Sequence, residues 1–344
     1  MQFGRRQFLR TSFLAAAGLA VGAVKAAAPA KPAFIWSYLI HLGMNNWKDI
    51  PLAECPADAP EPFRTRCMAD FLRTEEPEWN FVTNRLAQTG ANMIIIDLGE
   101  GCFFPSHPEL AVKGTWSVEK MRKELARLRG MGLEPIPKLN FSTTHDSWLK
   151  DYQRMVSTST YYKVCADVIK DAIEIFDHPR FFHLGYDEET AGHQSTHLMA
   201  ITRQGELWWH DFLWFVKQVE NQGVRPWIWS DYYWNHQKEF LNRMPRSVLQ
   251  SNWYYGAAFE TAKDMSRVRV QTYIDLDKAG FDQVPTGSNW SCETNFADTL
   301  RFCRAHCAPE RLKGMMMAPW QRTIAIHHDK AAAALDLLET AIRG

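Results

Sequence analysis

The chain has 344 residues, with 39 basic and 39 acidic side chains, and no basic block to hold nucleic acid by charge. That length fits one large domain or two ordinary ones. Its 14 Trp and 10 Tyr are many for the size and point towards a ligand with flat apolar faces, such as a sugar, although large cores also use Trp.

In chain order, residues 1–32 stand apart from the rest. Gly4-Arg5-Arg6-Gln7-Phe8-Leu9-Arg10 precedes an apolar run from Ser12 to Val24, and Lys25-Ala26-Ala27-Ala28 then offers small residues to a peptidase. This stretch resembles a bacterial twin-arginine export signal: paired Arg, a spacer, Phe-Leu and a basic residue. The resemblance implies a leader over residues 1–28, passage through the twin-arginine translocase and a periplasmic mature protein. The run is short for a bilayer and no Cys lies near the cleavage point, so no stable membrane anchor is expected.

From residue 33 onward one alternation repeats. Apolar segments of strand type run from Phe34 to Leu42, Asn92 to Leu98, Glu134 to Phe141, Phe181 to Tyr186, Pro226 to Ser230, Val248 to Trp253, Gln283 to Gly287 and Gly314 to Pro319. Helical spacing of apolar residues fills the gaps, as from Val118 to Leu128, and ends with Lys330 to Ile342. Gly90, Gly132, Gly223 and Gly280 stand where helices should stop before the next strand. Strict alternation implies a parallel sheet, and eight such units predict an α/β fold, a single (β/α)8 TIM barrel over residues 33–344. The rival, an open doubly wound sheet, lacks a Gly-rich fingerprint after its first strand. Asp49 to Phe71, rich in Pro and acids, reads as an extended loop after strand one.

The seven Cys are odd in number and show no zinc-type doubling. Cys55 and Cys67 flank the Pro-rich loop and could bridge in an oxidising compartment, while Cys303 and Cys307, one helical turn apart, read as small hydrophobes. His327-His328-Asp329 reads as a loop closed by an Asp cap. No metal or organic cofactor is implied.

Chemistry in a barrel sits at the carboxyl ends of its strands. Those ends carry Asn45, Asn46 and Trp47; Asp97 and Glu100; Asn140, His145 and Asp146; Asp187, Glu188 and Glu189; Trp229, Asp231, Tyr232 and Trp234; Asn252, Trp253 and Tyr254; Asn289, Trp290 and Glu293; and Trp320. Acids interleaved with aromatic rings suit carbohydrate, rings stacking on sugar faces and acids binding hydroxyls or moving protons.

Three adjacent carboxylates, Asp187-Glu188-Glu189, follow an apolar run, an expensive grouping unless something requires it. His183-Leu184-Gly185-Tyr186-Asp187-Glu188 resembles the strand-four signature of family-20 glycoside hydrolases, the β-N-acetylhexosaminidases, in which His-x-Gly-Gly-Asp-Glu ends the fourth strand. The resemblance implies Glu188 as general acid/base and Asp187 as the residue orienting the substrate's own 2-acetamido group, the internal nucleophile. It further implies Trp290 and Trp320 as walls of the acetamido pocket and Tyr254 as a donor to that group. His183, Glu189, Trp229, Asp231, Trp253 and Asn289 complete the expected sugar-binding set. Tyr186 replaces the family's second Gly, and Trp36 to Trp47 contains no Arg where the family places one. Crowding by Asp187 and Glu189 should raise the pKa of Glu188. Adjacent strand residues face opposite ways, so Asp187 and Glu188 can share the mouth only if the strand ends or bulges before them.

Three functions are compatible with these residues: a retaining, substrate-assisted glycosidase using Asp187 and Glu188; a glycosidase with Glu188 as acid/base and Glu293 as protein nucleophile; and a non-catalytic sugar-binding barrel.

Overall fold

The computed structural model describes residues 34–43 and 48–344. The expected leader over 1–28, and Asn45, Asn46 and Trp47, lie outside the described residues. Eight parallel strands form the sheet: β1 (Ile35–His41), β2 (Met93–Asp97), β3 (Glu134–Lys138), β4 (Phe181–His183), β5 (Arg225–Trp229), β6 (Leu249–Ser251), β7 (Thr286–Gly287) and β8 (Gly314–Met317). The pairing order is β6-β5-β4-β3-β2-β1-β8-β7. Parallel bridges Gln250–Gln283 and Trp253–Thr286 join β6 to β7 and close the ring. Seven strands lie within their predicted segments and the fifth begins one residue early, at Arg225, and the barrel is the predicted (β/α)8 type.

Strand alternation decides what fills the barrel. Ile35, Leu39, Met93, Ile95, Ile136, Phe181, Trp227, Trp229, Leu249, Met316 and Ala318 pack together inside. Their neighbours Tyr38, Ile40, Ile94, Ile96, Phe182 and Ile228 pack with the helical layer. The same parity turns Asp97 and Lys138 inward, both fully buried, as an ion pair at 2.9 Å that His41 joins at 3.1 Å. Pro135 and Pro137 remove two backbone donors from β3, which pairs with β4 at the single position Lys138–His183.

The helical layer follows local signals. Ser117 and Thr158 cap the helices Val118–Gly130 and Ser159–Ile175. Gly90 and Gly280 end the helices before them with φ of +92° and +81°, where a side chain would be strained. His327, rather than Asp329, is the N-cap residue of the last helix, His328–Arg343.

The segment expected as an extended loop after β1 contains a small parallel ribbon, Lys48–Pro51 with Cys67–Met68, and a one-turn helix, Glu61–Arg64. Cys55 and Cys67 are buried free thiols within it, close enough to hydrogen-bond. Among the described residues no helix is long and apolar enough to cross a membrane.

Candidate active site

The acidic stretch leaves the barrel immediately after β4. The strand stops at His183, three residues short of its predicted end, and Gly185, Tyr186 and Glu188 then take φ of +67°, +74° and +56°. This left-handed path abolishes strand alternation, so Asp187 and Glu188 turn into one cleft. A Cβ on Gly185 would stand 2.2 Å from Asn140 Oδ1; only glycine allows that approach. Tyr186 sends its ring away from the cleft, against Trp208, Phe212 and Phe215 and beneath the Arg203 guanidinium. A non-glycine residue at such φ costs roughly 1–3 kcal/mol and persists because its surroundings impose it.

Backbone and side-chain bonds fix both acids. Asn140 Nδ2 donates to Asp187 Oδ1 at 2.7 Å, while Asn140 Oδ1 accepts from the Tyr186 and Ser142 N–H groups. The Glu188 N–H donates to Asp231 Oδ2 at 2.9 Å, and its carbonyl accepts from Thr144 Oγ1 at 2.7 Å. His145 Nε2 lies 3.6 Å from Asp187 Oδ2 and 3.4 Å from Glu188 Oε2, and His193 Nε2 lies 3.5 Å from Glu188 Oε1.

The cleft, about 350 Å³, has aromatic walls formed by Trp253, Tyr255, Trp290 and Trp320. Trp253 and Tyr255 stack at 5.1 Å, and Trp320 is supported from within the barrel by Trp229 at 5.5 Å. Trp290 stands at the rim, 44% exposed. Lys48, Arg66, Asn140, Thr144 and Thr196 complete the lining.

Electrostatics divides the acids. Burial would raise the pKa of Glu188, but the hydrogen bond from His145 and the charges of His145, His193 and Arg269 outweigh it and set the carboxyl below its ordinary range. Crowding by Asp187 and Glu189 therefore does not control it as predicted, since Glu189 faces elsewhere. Burial pushes Asp187 upward against the charge of His145, and Glu188 adds to the rise. Asp231 is pushed well up by burial and then by Asp187. Burial disfavours protonated His145, yet Asp187 and Glu188 carry its pKa above the ordinary 6.5. The opposite shifts favour a proton on His145 over one on Glu188.

His145, Asp187 and Glu188 bring one ligand atom each within 4.8 Å of the others, close enough to grip a cation. A protonated His145 offsets the same negative charge.

Several expected sugar contacts lie elsewhere. His183 is a barrel-core residue, fully buried between Trp227 and Trp229, with Nδ1 accepting from the Gly185 N–H. Burial and then the Lys138 charge hold its pKa well below 6.5. Glu189 turns behind the cleft, where both its oxygens are taken by Arg203, with the Thr143 and Arg203 N–H groups adding bonds. Trp229 is 1% exposed and acts as a floor beneath Trp320. Asp231 is buried and braces the Glu188 backbone. Asn289, also buried, donates to the Lys330 carbonyl. Tyr254 packs on Phe259, away from the cleft, and its neighbour Tyr255 supplies the wall instead, because β6 ends at Ser251 and alternation no longer sets direction. Glu293 is exposed and outside the cleft lining. Tyr255, His193, Thr196, Lys48 and Arg66 were not expected; all stand on irregular segments or the ribbon, without a periodic signal.

No protein-family model matches the chain, and no curated protein sequence does. Solved structures with the same barrel are numerous. The chain is 12% identical to a β-N-acetylhexosaminidase from Bacteroides fragilis, with a TM-score of 0.59 over 89% of this chain and 65% of that one. It is likewise 12% identical to a variant of Streptomyces plicatus β-hexosaminidase in complex with GlcNAc, with a TM-score of 0.60 over 90% and 64% of the two chains. Dispersin B is similar at a TM-score of 0.53 and 12% identity, over 79% of this chain and 96% of its own. The chain thus spans under two thirds of the first two. At such identity the likeness shows a shared fold.

Proposed function

We propose that this protein is a glycoside hydrolase acting on N-acetylhexosamine-containing glycans with retention of configuration, the substrate's 2-acetamido group serving as nucleophile. The observation that carries the reading is the turn of Asp187 and Glu188 into one aromatic-walled cleft with His145 between them. Glu188 protonates the glycosidic oxygen as the acetamido oxygen attacks the anomeric carbon; Asp187, aligned by Asn140, holds the acetamido N–H. Water then opens the cyclic intermediate, with Glu188 accepting its proton. The Trp and Tyr walls stack on the sugar and exclude water. A double displacement would need Glu293 beside Glu188, and Glu293 is exposed outside the cleft lining. The protein is proposed to leave the cytoplasm by the twin-arginine route and to work in the periplasm, on the strength of Arg5-Arg6 and the apolar run after it.

A screen of aryl glycosides tests the reaction. A nitrophenyl 2-acetamido-2-deoxyglycoside should be cleaved at least about a thousandfold faster than the corresponding glycoside with a 2-hydroxyl, and a thiazoline mimicking the cyclic intermediate should inhibit at concentrations far below free GlcNAc. Asp187→Asn should slow the acetamido substrate most. Equal cleavage of both glycosides, with no inhibition by the thiazoline, would sink the mechanism.

The charge arrangement sets the pH profile. A bound sugar excludes water and disfavours the separated charges of His145 and Glu188, so the proton moves to Glu188, where the acid needs it. Activity should therefore fall as pH rises through the raised pKa of His145. It should also fall at low pH, as Asp187 takes up a proton at a pH above the ordinary Asp value. His145→Asn should displace the alkaline limb of kcat/KM; a limb unmoved by that change would remove His145 from the proton inventory.

A further inference from the structure

On one wall of the cleft stand two cations whose place the proposed reaction does not explain. Lys48, only 5% exposed, comes from the ribbon inserted after β1, and Arg66 comes from the residue just before its second strand. Among the described residues Lys48 forms no ion pair within 4.0 Å. Its neighbour Asp49 directs its two carboxylate oxygens to the Leu198 and Met199 N–H groups at 2.6 and 3.0 Å. Of the three donors of an ammonium, one reaches Thr196 Oγ1, and the group lies 4.2 Å above the Phe63 ring. Burial first, and then the Arg66 guanidinium, lower the pKa of Lys48 against the opposing effects of Cys67, Asp49 and Cys55. A buried ammonium with a guanidinium near it and no carboxylate partner is held at a cost that an incoming anion would relieve.

We propose that the sugar taken by this cleft carries a fixed negative charge, a sulfate ester or a carboxylate, which Lys48 and Arg66 grip. The proposal rests on the reading of the cleft as a sugar site. Three observations point to it: both cations border the same space as Asp187 and Glu188, Lys48 is buried without a carboxylate partner among the described residues, and Arg66 offers the planar fork that matches an oxyanion. The two acids repel an anion from their own side, which favours the Lys48–Arg66 wall for the charge. A neutral sugar brings Lys48 no counter-charge.

Calorimetric titration of the full protein at low salt decides the matter. The probes are GlcNAc, its 3-, 4- and 6-sulfates, and a glucuronate–GlcNAc disaccharide. At least one charged sugar should bind about tenfold or more tightly than GlcNAc, as one charge-assisted contact supplies, and the advantage should shrink as salt is added. Lys48→Met and Arg66→Gln should each remove most of the advantage; Arg66 is only half-buried, so its variant serves if the first fails to fold. The sulfates against the uronate disaccharide tell which anion is meant. Equal affinity for charged and neutral sugars, no binding by any of them, or an advantage that survives both substitutions would overturn the proposal. Tight binding of a charged sugar without cleavage of any glycoside would overturn the hydrolase reading alone, and cleavage of neutral glycosides without charge preference would overturn this proposal alone.

Discussion

Glu188→Gln is expected to lower kcat by about 10²–10⁴ on glycosides with poor leaving groups, and by much less on nitrophenyl glycosides, which depart without a proton. The amide keeps the size of the carboxyl and, in the resting structure, its contacts with His145 and His193 at 3.4 and 3.5 Å. Folding should survive, so near-UV circular dichroism and the thermal midpoint should match the parent. Only the proton is lost. Steady-state rates across aryl leaving groups of graded acidity test this: the variant's rate should depend steeply on leaving-group acidity where the parent's does not. A uniform loss across the series would deny Glu188 the role of acid, and full activity would remove it from the chemistry.

The second large effect is on stability. Arg203→Met should destabilise the protein by about 3–5 kcal/mol, because it takes the buried cation away from two buried carboxylates. The Arg203 side chain is 1% exposed and those of Glu189 and Asp211 are 2% and 0%. The guanidinium also donates to the Phe141 carbonyl at 2.7 Å and covers the Tyr186 ring. A urea midpoint unchanged from the parent would show that water or a nearby donor replaces the arginine. Glu189→Gln separates this role from catalysis: it should lower the midpoint while sparing activity on glycosides with poor leaving groups. Loss of that activity at full stability would give Glu189 a part in the chemistry.

The barrel was legible because buried parallel strands read as unbroken apolar runs, and because glycines such as Gly90 and Gly280 mark helix ends by a backbone geometry that other residues resist. The carboxylate pair was legible as a motif. Its direction was not, since that depends on φ at Gly185, Tyr186 and Glu188. Tyr254 and Tyr255 show the limit sharply: neighbours of one chemistry, told apart only by where β6 stops. Glu189 read as part of the triplet because nothing nearby in sequence announces Arg203, fourteen residues on. Lys48 and Arg66 reach the cleft through a ribbon whose strands are too short to leave a periodic trace.

Tyr186 has a bearing on when the molecule becomes competent. At Tyr186 the elbow between β4 and the acids holds a backbone conformation that its residue type disfavours; the helix Gly205–Glu220, which supplies Trp208, Phe212 and Phe215, braces it from behind. A nascent chain that has made β4 but not yet docked that helix has both carboxylates and no working arrangement of them. Competence is therefore a property of the assembled tertiary layer, not of β4 and its motif alone.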